Sequence, residues 1–296
     1  GAYSGYYNIS GSSNIFLGTF SGYTNSVAKH NVAIGYAALE NNDTGSTQPF
    51  HAGNNLALGS YSGKSNTIGS ENIFIGHQSG QKNTSGSFNT YVGSNSAINN
   101  ILGSQNVNIG QGSGRFSTDG DNNVYIGFGA GNSNDLDKNV FIGSKAGDNN
   151  EGNESVLIGY EAGFSSSTGS KNIFIGHQAG RNVTGGNKLY IENSSSTSPL
   201  IYGDFLTNIL RANGTLQVSD PLVNGYAFPA SDGTIGQTLT TNGSGALSWT
   251  NTSGSPWDTN TGSNYIYTNT NKVGIGTSAP NAVLNISTGS AEPKAI

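Results

Sequence analysis

From Gly1 to about Gly180 the chain carries short apolar bursts, each opened by Asn and closed by Gly. The unit reads Asn, Ile or Val, any residue, Ile or Leu, Gly, two variable residues, Ser or Ala, Gly. Clear copies are Asn72-Ile73-Phe74-Ile75-Gly76 with Ser79-Gly80, and Asn172-Ile173-Phe174-Ile175-Gly176 with Ala179-Gly180. The leading glycines fall at 1, 18, 35, 59, 76, 93, 110, 127, 143, 159 and 176, so the period is 16 or 17 with one step of 24. A fixed period of this size marks a repeat architecture. Positions three and one before the glycine are apolar in almost every copy, as in Val32 and Ile34, Val107 and Ile109, Val124 and Ile126, Val140 and Ile142, or Val156 and Ile158. Alternate residues of a strand share a face. The pairs therefore predict one face of a three-residue strand, assigned to the interior of a parallel β-solenoid.

The residue between them points the other way and is often aromatic, as in Phe16, Phe74, Tyr91, Tyr125, Phe141, Phe174 and Tyr190. On this assignment the aromatics form an outer stripe, and a contiguous exposed apolar stripe marks an interface. Phe16, Phe74, Tyr91, Tyr125, Phe141 and Phe174 are therefore candidate binding or interface residues, whether they meet a subunit, each other or a ligand. The step of 24 holds seven extra residues in the region Glu40 to Ala52. Insertions in solenoids map to loops on one face, which makes Pro49, Phe50 and His51 at its tip further candidates for a partner contact.

The glycine ending each strand allows a corner with positive φ. The asparagines that open successive strands, such as Asn14, Asn31, Asn55, Asn72, Asn89, Asn106, Asn123, Asn139 and Asn172, predict a stacked amide ladder. The expected fold is all-β, a parallel β-solenoid (β-roll) of about eleven 16–17-residue coils over residues 1–192. A short β transition module follows at 193–220, a Gly-, Ser-, Thr- and Asn-rich neck or linker at 221–262, and a C-terminal β fibre module at 263–296. Trp249 and Trp257 are expected anchors where chains meet. Glycine recurs too often for a helix to persist.

Composition agrees with a thin, repeated core: 33% hydrophobic, 10% charged, 45 glycines and a net charge of −5. Disorder would pair low hydrophobicity with high net charge and few β-branched or aromatic residues. With no Cys there is no disulfide framework, thiolate metal site or cysteine nucleophile. No run of 18 apolar residues predicts membrane insertion in this segment. Twelve scattered basic residues against 17 acids give no nucleic-acid footprint. A starting Met is absent, which predicts a processed or internal piece of a longer protein.

Catalytic motifs are weak. Gly59-Ser60-Tyr61-Ser62-Gly63-Lys64-Ser65 is one residue short of a phosphate-binding loop, and Gly127-Phe128-Gly129-Ala130-Gly131 reads as repeat punctuation. His77 and His177 share one repeat position, many coils apart, and are expected in surface turns. Asp119, Asp121, Asp135, Asp137 and Asp148 cluster in a way that invites comparison with calcium sites, but no calcium repeat is matched. No cofactor, metal or catalytic residue is assigned.

The copy Asn31-Val32-Ala33-Ile34-Gly35 resembles the head repeat of trimeric autotransporter adhesins of the YadA type. The small residue that the family places between Asn and Val is missing here, and the period is slightly longer. The resemblance implies a β-roll packed into an intertwined homotrimer. Val273-Gly274-Ile275-Gly276-Thr277 with Pro280 and Leu284, and Asp232-Gly233-Thr234-Ile235-Gly236-Gln237-Thr238-Leu239-Thr240 with Trp249, look like modules of phage tail fibres and bacterial surface fibres. Both resemblances imply a non-enzymatic fibre or adhesin segment, extracellular or on a surface. Its expected partners are copies of itself and a target cell surface, glycan or host receptor. The alternatives are a tailspike-like polysaccharide depolymerase, or a phage or injection-system tail fibre.

Overall fold

The computed structural model describes residues 1–43, 52–132, 135–166, 169–218, 226–229, 231–244, 246–251, 266–269, 272–275, 283–286 and 294–295. Among these the chain is all-β, with no helix. It divides into two units, Gly1–Asn213 and Gly214–Ile296.

The first unit is a parallel β-solenoid. Its strands β1 (Ile15–Leu17), β2 (Val32–Ile34), β3 (Leu56–Leu58), β4 (Ile73–Ile75), β5 (Thr90–Val92), β6 (Val107–Ile109), β7 (Val124–Ile126), β8 (Val140–Ile142), β9 (Val156–Ile158), β10 (Ile173–Ile175) and β11 (Lys188–Ile191) pair in sequence order, one per repeat. Equivalent repeat positions meet: Ile15 lies opposite Val32, Val32 opposite Leu56, and Ile173 opposite Leu189. Each repeat is thus one coil. The sheet continues past residue 192, because β12 (Ile201–Asp204) and β13 (Ile209–Ala212) add to β11 as antiparallel strands. Lys188 and Asp204 pair at 2.6 Å across the first of these joints.

The faces of the strands are the reverse of those the alternation was assigned. The middle residue is the buried one. Ala33, Ala57, Phe74, Tyr91, Phe141, Leu157 and Phe174 are fully buried, and Tyr125 nearly so. Phe16, in the first coil, packs partly buried against the same core. The flanking aliphatic pair faces outward, with Ile73, Ile109, Ile158 and Ile175 about a third exposed and Ile15 and Leu17 more so. The physical reason is width. Most coil interiors take one large side chain from the strand, where an aromatic ring removes the most apolar area from water, and beside Ala33 and Ala57 the buried Leu39 joins the same core cluster. The opposing wall is small to admit the ring. Ser21, Ser62, Ser79, Ala130, Ala146, Ala162 and Ala179, three after the strand glycine, are all buried. The next residue is often Gly, and a Cβ on Gly80 would sit 2.4 Å from the Phe74 ring. At β6 the buried middle residue is Asn108, and the apolar core separates there into two clusters.

Ser155 opens β9, and the asparagine that opens each of β2 to β8 and β10 is buried, but it does not bond to its own kind. Its Oδ1 accepts the backbone N–H of the equivalent residue in the next coil, as in Asn31 to Asn14 at 2.8 Å, Asn72 to Asn55 at 2.9 Å and Asn106 to Asn89 at 3.0 Å. Its Nδ2 donates to a loop carbonyl, as in Asn72 to Gly86 at 2.8 Å. A second asparagine column, seven residues after the strand glycine, makes the amide-to-amide ladder. Asn42 donates to Asn25, Asn66 to Asn42 and Asn83 to Asn66, each at 2.8 Å. Amides paired in this way cost little, where unpaired ones would be expensive, and the ladder stops at Asn83, whose buried Oδ1 has no partner among the described residues.

In the second unit β14 (Gln217–Val218) pairs with β15 (Tyr226–Ala227), and β16 (Gln237–Thr241) forms a hairpin with β17 (Leu247–Asn251). The strands β18 (Ile266–Asn269), β19 (Lys272–Ile275), β20 (Leu284–Ile286) and β21 (Lys294–Ala295) make a four-stranded mixed sheet. Trp249 is anchored within its own chain: its indole N–H donates to the Ser231 carbonyl at 3.0 Å, and its ring lies against Gly233. Trp257 lies outside the described residues.

Candidate functional site

The aromatic stripe is not a surface. Phe74, Tyr91, Tyr125, Phe141 and Phe174 are core residues, closed to a ligand or subunit. Pro49, Phe50 and His51 lie outside the described residues. Two other surfaces carry the functional information.

The first is the outer face of the parallel sheet. It presents two aliphatic columns, with Val107, Val124, Val140 and Val156 in one and Ile109, Ile126, Ile142 and Ile158 in the other, in register from coil to coil. The second is a lateral wall built from the first, second and fifth residues after each strand glycine. Near Gly1 this wall is aromatic. Tyr3 stacks on Phe20 with centroids 5.3 Å apart, Phe20 meets Tyr36 at 6.1 Å, Tyr36 meets Tyr61 at 5.2 Å, and Tyr61 meets His77 at 6.1 Å. His177 stacks on Tyr160 at 5.3 Å in the same way. Both histidines are exposed turn residues. Elsewhere the wall carries ion pairs between coils, Lys64 to Glu40 at 3.2 Å and Arg181 to Glu161 at 2.8 Å.

In the middle of the wall a notch of about 290 Å³ opens over Gly112 and Gly129. Its lining comes from fixed repeat positions, Gln111 and Phe128 from the first after the strand glycine, Asn95 and Lys145 from the second in the flanking coils, and Arg115, Asn132 and Asp148 from the fifth. Burial pushes the Asp148 carboxyl above the usual carboxylate value and nearby Glu161 adds to this, while the Asn132 amide and Lys145 pull the other way. The Asp148 Oδ1 has no hydrogen-bond partner.

Asp121, Asp135 and Asp137 of the cluster serve the coil. The Ser104 N–H donates to Asp121 Oδ1 at 2.6 Å, the Asp121 N–H to Asp137 Oδ1 at 2.8 Å, and the Asp137 N–H to Asn153 Oδ1 at 2.8 Å. Asp135 Oδ1 accepts the Thr118 and Asp119 N–H groups at 2.7 and 2.8 Å, and its Oδ2 accepts the Thr118 hydroxyl at 2.7 Å. Among the described residues no group of three or more His, Asp or Glu is placed to hold a metal ion. No helix among them is long and apolar enough to cross a membrane.

Set against known proteins, the chain matches no family model, no curated sequence and no solved structure.

Proposed function

We propose that this chain is a structural fibre or adhesin segment, displayed outside the cell, that assembles with copies of itself and attaches through many weak contacts. The observation that carries the proposal is the outer aliphatic face. Eleven paired strands at about 4.8 Å make it about 50 Å long. At about 10 Å wide its footprint is ~500 Å², within the range of the largest apolar patch on a typical monomer, which is often functional. A second copy of the same solenoid repeats at the same pitch, so its ridges fit these furrows coil after coil. Three copies close into a symmetric assembly in which every such face is covered. The lateral walls remain outside, and repetition over coils and chains turns weak contacts into avidity.

Sedimentation equilibrium tests the assembly. Three chains of 30.4 kDa make a particle of about 91 kDa, the mass expected. A stable monomer would leave the aliphatic face wet and remove the basis of the proposal.

A further inference from the structure

The notch over Gly112 and Gly129 exists because two consecutive coils lack a side chain that every other described coil has. The second residue after the strand glycine is Tyr3, Phe20, Ala37, Tyr61, Gln78, Asn95, Lys145, Glu161 or Gln178 elsewhere in the array. All of these sit at φ between 52° and 61°, beside 66° at Gly112 and 61° at Gly129. The backbone therefore does not demand glycine here. Packing does not demand it either. A Cβ at Gly112 would meet only Arg115 Cδ at 4.0 Å, and one at Gly129 only Lys145 Cγ at 3.8 Å. The strand-ending Gly110 differs, because a Cβ there would lie 2.4 Å from the Gly127 carbonyl oxygen. What the two glycines supply is space.

The groups around that space match one ligand chemistry. Lys64 and Arg181 occupy the same repeat position as Arg115 and pair with acids. Arg115 and Lys145 have no carboxylate within ion-pair distance among the described residues. Two cations against the single carboxylate of Asp148 make the notch locally positive on a chain of net charge −5. Asn95, Gln111 and Asn132 offer amides that donate and accept. Phe128, 54% exposed, offers an apolar ring face beside them. The volume is at the lower end for ligand pockets, enough for one sugar ring. We infer that this notch binds a single carboxylated sugar residue of a surface glycan. Its carboxylate is held by Arg115 and Lys145, its hydroxyls by the amides and Asp148, and its C–H face lies on Phe128. Charge-assisted bonds of Arg to a carboxylate are the strong ones in such a set. The inference deepens the attachment proposal by naming the ligand class, and it rests on that proposal only for its biological setting.

Saturation-transfer NMR on the full chain tests it, with methyl glucuronide and methyl sialoside as the acidic probes and methyl glucoside as the neutral one. Gly129→Gln places in the notch the residue that another coil carries as Gln78, so an intact fold is expected and circular dichroism checks it. Transfer to either acidic probe, at least about fivefold weaker for the glucoside and for both Gly129→Gln and Arg115→Gln, is the expected result. The stronger acidic probe identifies the sugar type. No transfer to either acidic probe, equal transfer to the glucoside, or transfer unchanged in Gly129→Gln would overturn the inference. A 91 kDa particle without transfer leaves the fibre proposal standing, and a monomer with notch-dependent transfer leaves this one standing.

Discussion

Where a strand places a ring inside the solenoid the coil is built around it, so the phenylalanines Phe141 and Phe128 have opposite fates. Phe141 is fully buried, and Phe128 is 54% exposed on the lateral wall. Phe141→Ala is expected to cost about 3–5 kcal/mol, as deletion of a core ring does. Phe128→Ala is expected to stay within about 0.5 kcal/mol. Denaturant midpoints decide between them, and two equally small effects would put the aromatic column outside after all. Asp135 offers a second test at this scale. Burial works against its charge, but the Thr118 and Asp119 donors outweigh it and hold its pKa below the usual carboxylate value. The folded state thus favours the ionised form. Its contribution is fully present above the unfolded pKa of about 4 and is lost as pH falls through the lower folded value. Asp135→Ala is therefore expected to lose less stability than the parent between pH 6 and pH 3, as read from urea midpoints. A parallel loss in both chains would assign that pH dependence to other groups.

At the scale of the coil, period and strand positions were legible in the sequence because the strand-ending glycine is required twice over. Gly110 has φ 129°, and a Cβ on it would overlap the stacked carbonyl of Gly127. Gly110→Ala is expected to cost more than about 2 kcal/mol, whereas Gly112→Asn, which copies Asn95 one coil earlier, is expected to be close to neutral. Thermal unfolding of the two variants measures the contrast, and similar losses would refute the distinction between a glycine needed for stacking and one present for space. The face assignment was not legible from alternation alone, which separates two faces without saying which is inside. The missed signals were nonetheless present. The strand-opening asparagine shares parity with the aromatic, and the Ser or Ala and Gly that follow leave room for its ring. The second asparagine column stands at a fixed offset in the sequence, at Asn25, Asn42, Asn66, Asn83 and Asn100, but its amide-to-amide bonds and the notch needed the coil itself, since they join residues of neighbouring repeats. Gly-Phe-Gly-Ala-Gly reads as punctuation until its second glycine is seen to occupy a column that other coils fill.

For the whole molecule, the inversion of faces moves the self-assembly argument from the aromatics to the aliphatics without weakening it. Rings that are already inside cannot also join subunits, but the Val and Ile columns run unbroken from β6 to β9 on the opposite side. Charge placed on those columns should separate the chains and leave each coil intact, because Ile126 and Ile142 point away from the ladder of buried amides and rings. In Ile126→Asp/Ile142→Asp the sedimentation mass is expected to fall from about 91 kDa to the 30.4 kDa of one chain with an unchanged β signal in circular dichroism. Tyr125→Asp, one residue away in sequence but facing inward, is expected instead to lose that signal, since a carboxylate would replace a phenol in the core. A double variant that stays at about 91 kDa would locate the contact elsewhere, on the lateral walls or in residues 214–296. The lateral notch would then compete with a neighbouring chain for the same surface, and binding of an acidic sugar should depend on the state of assembly.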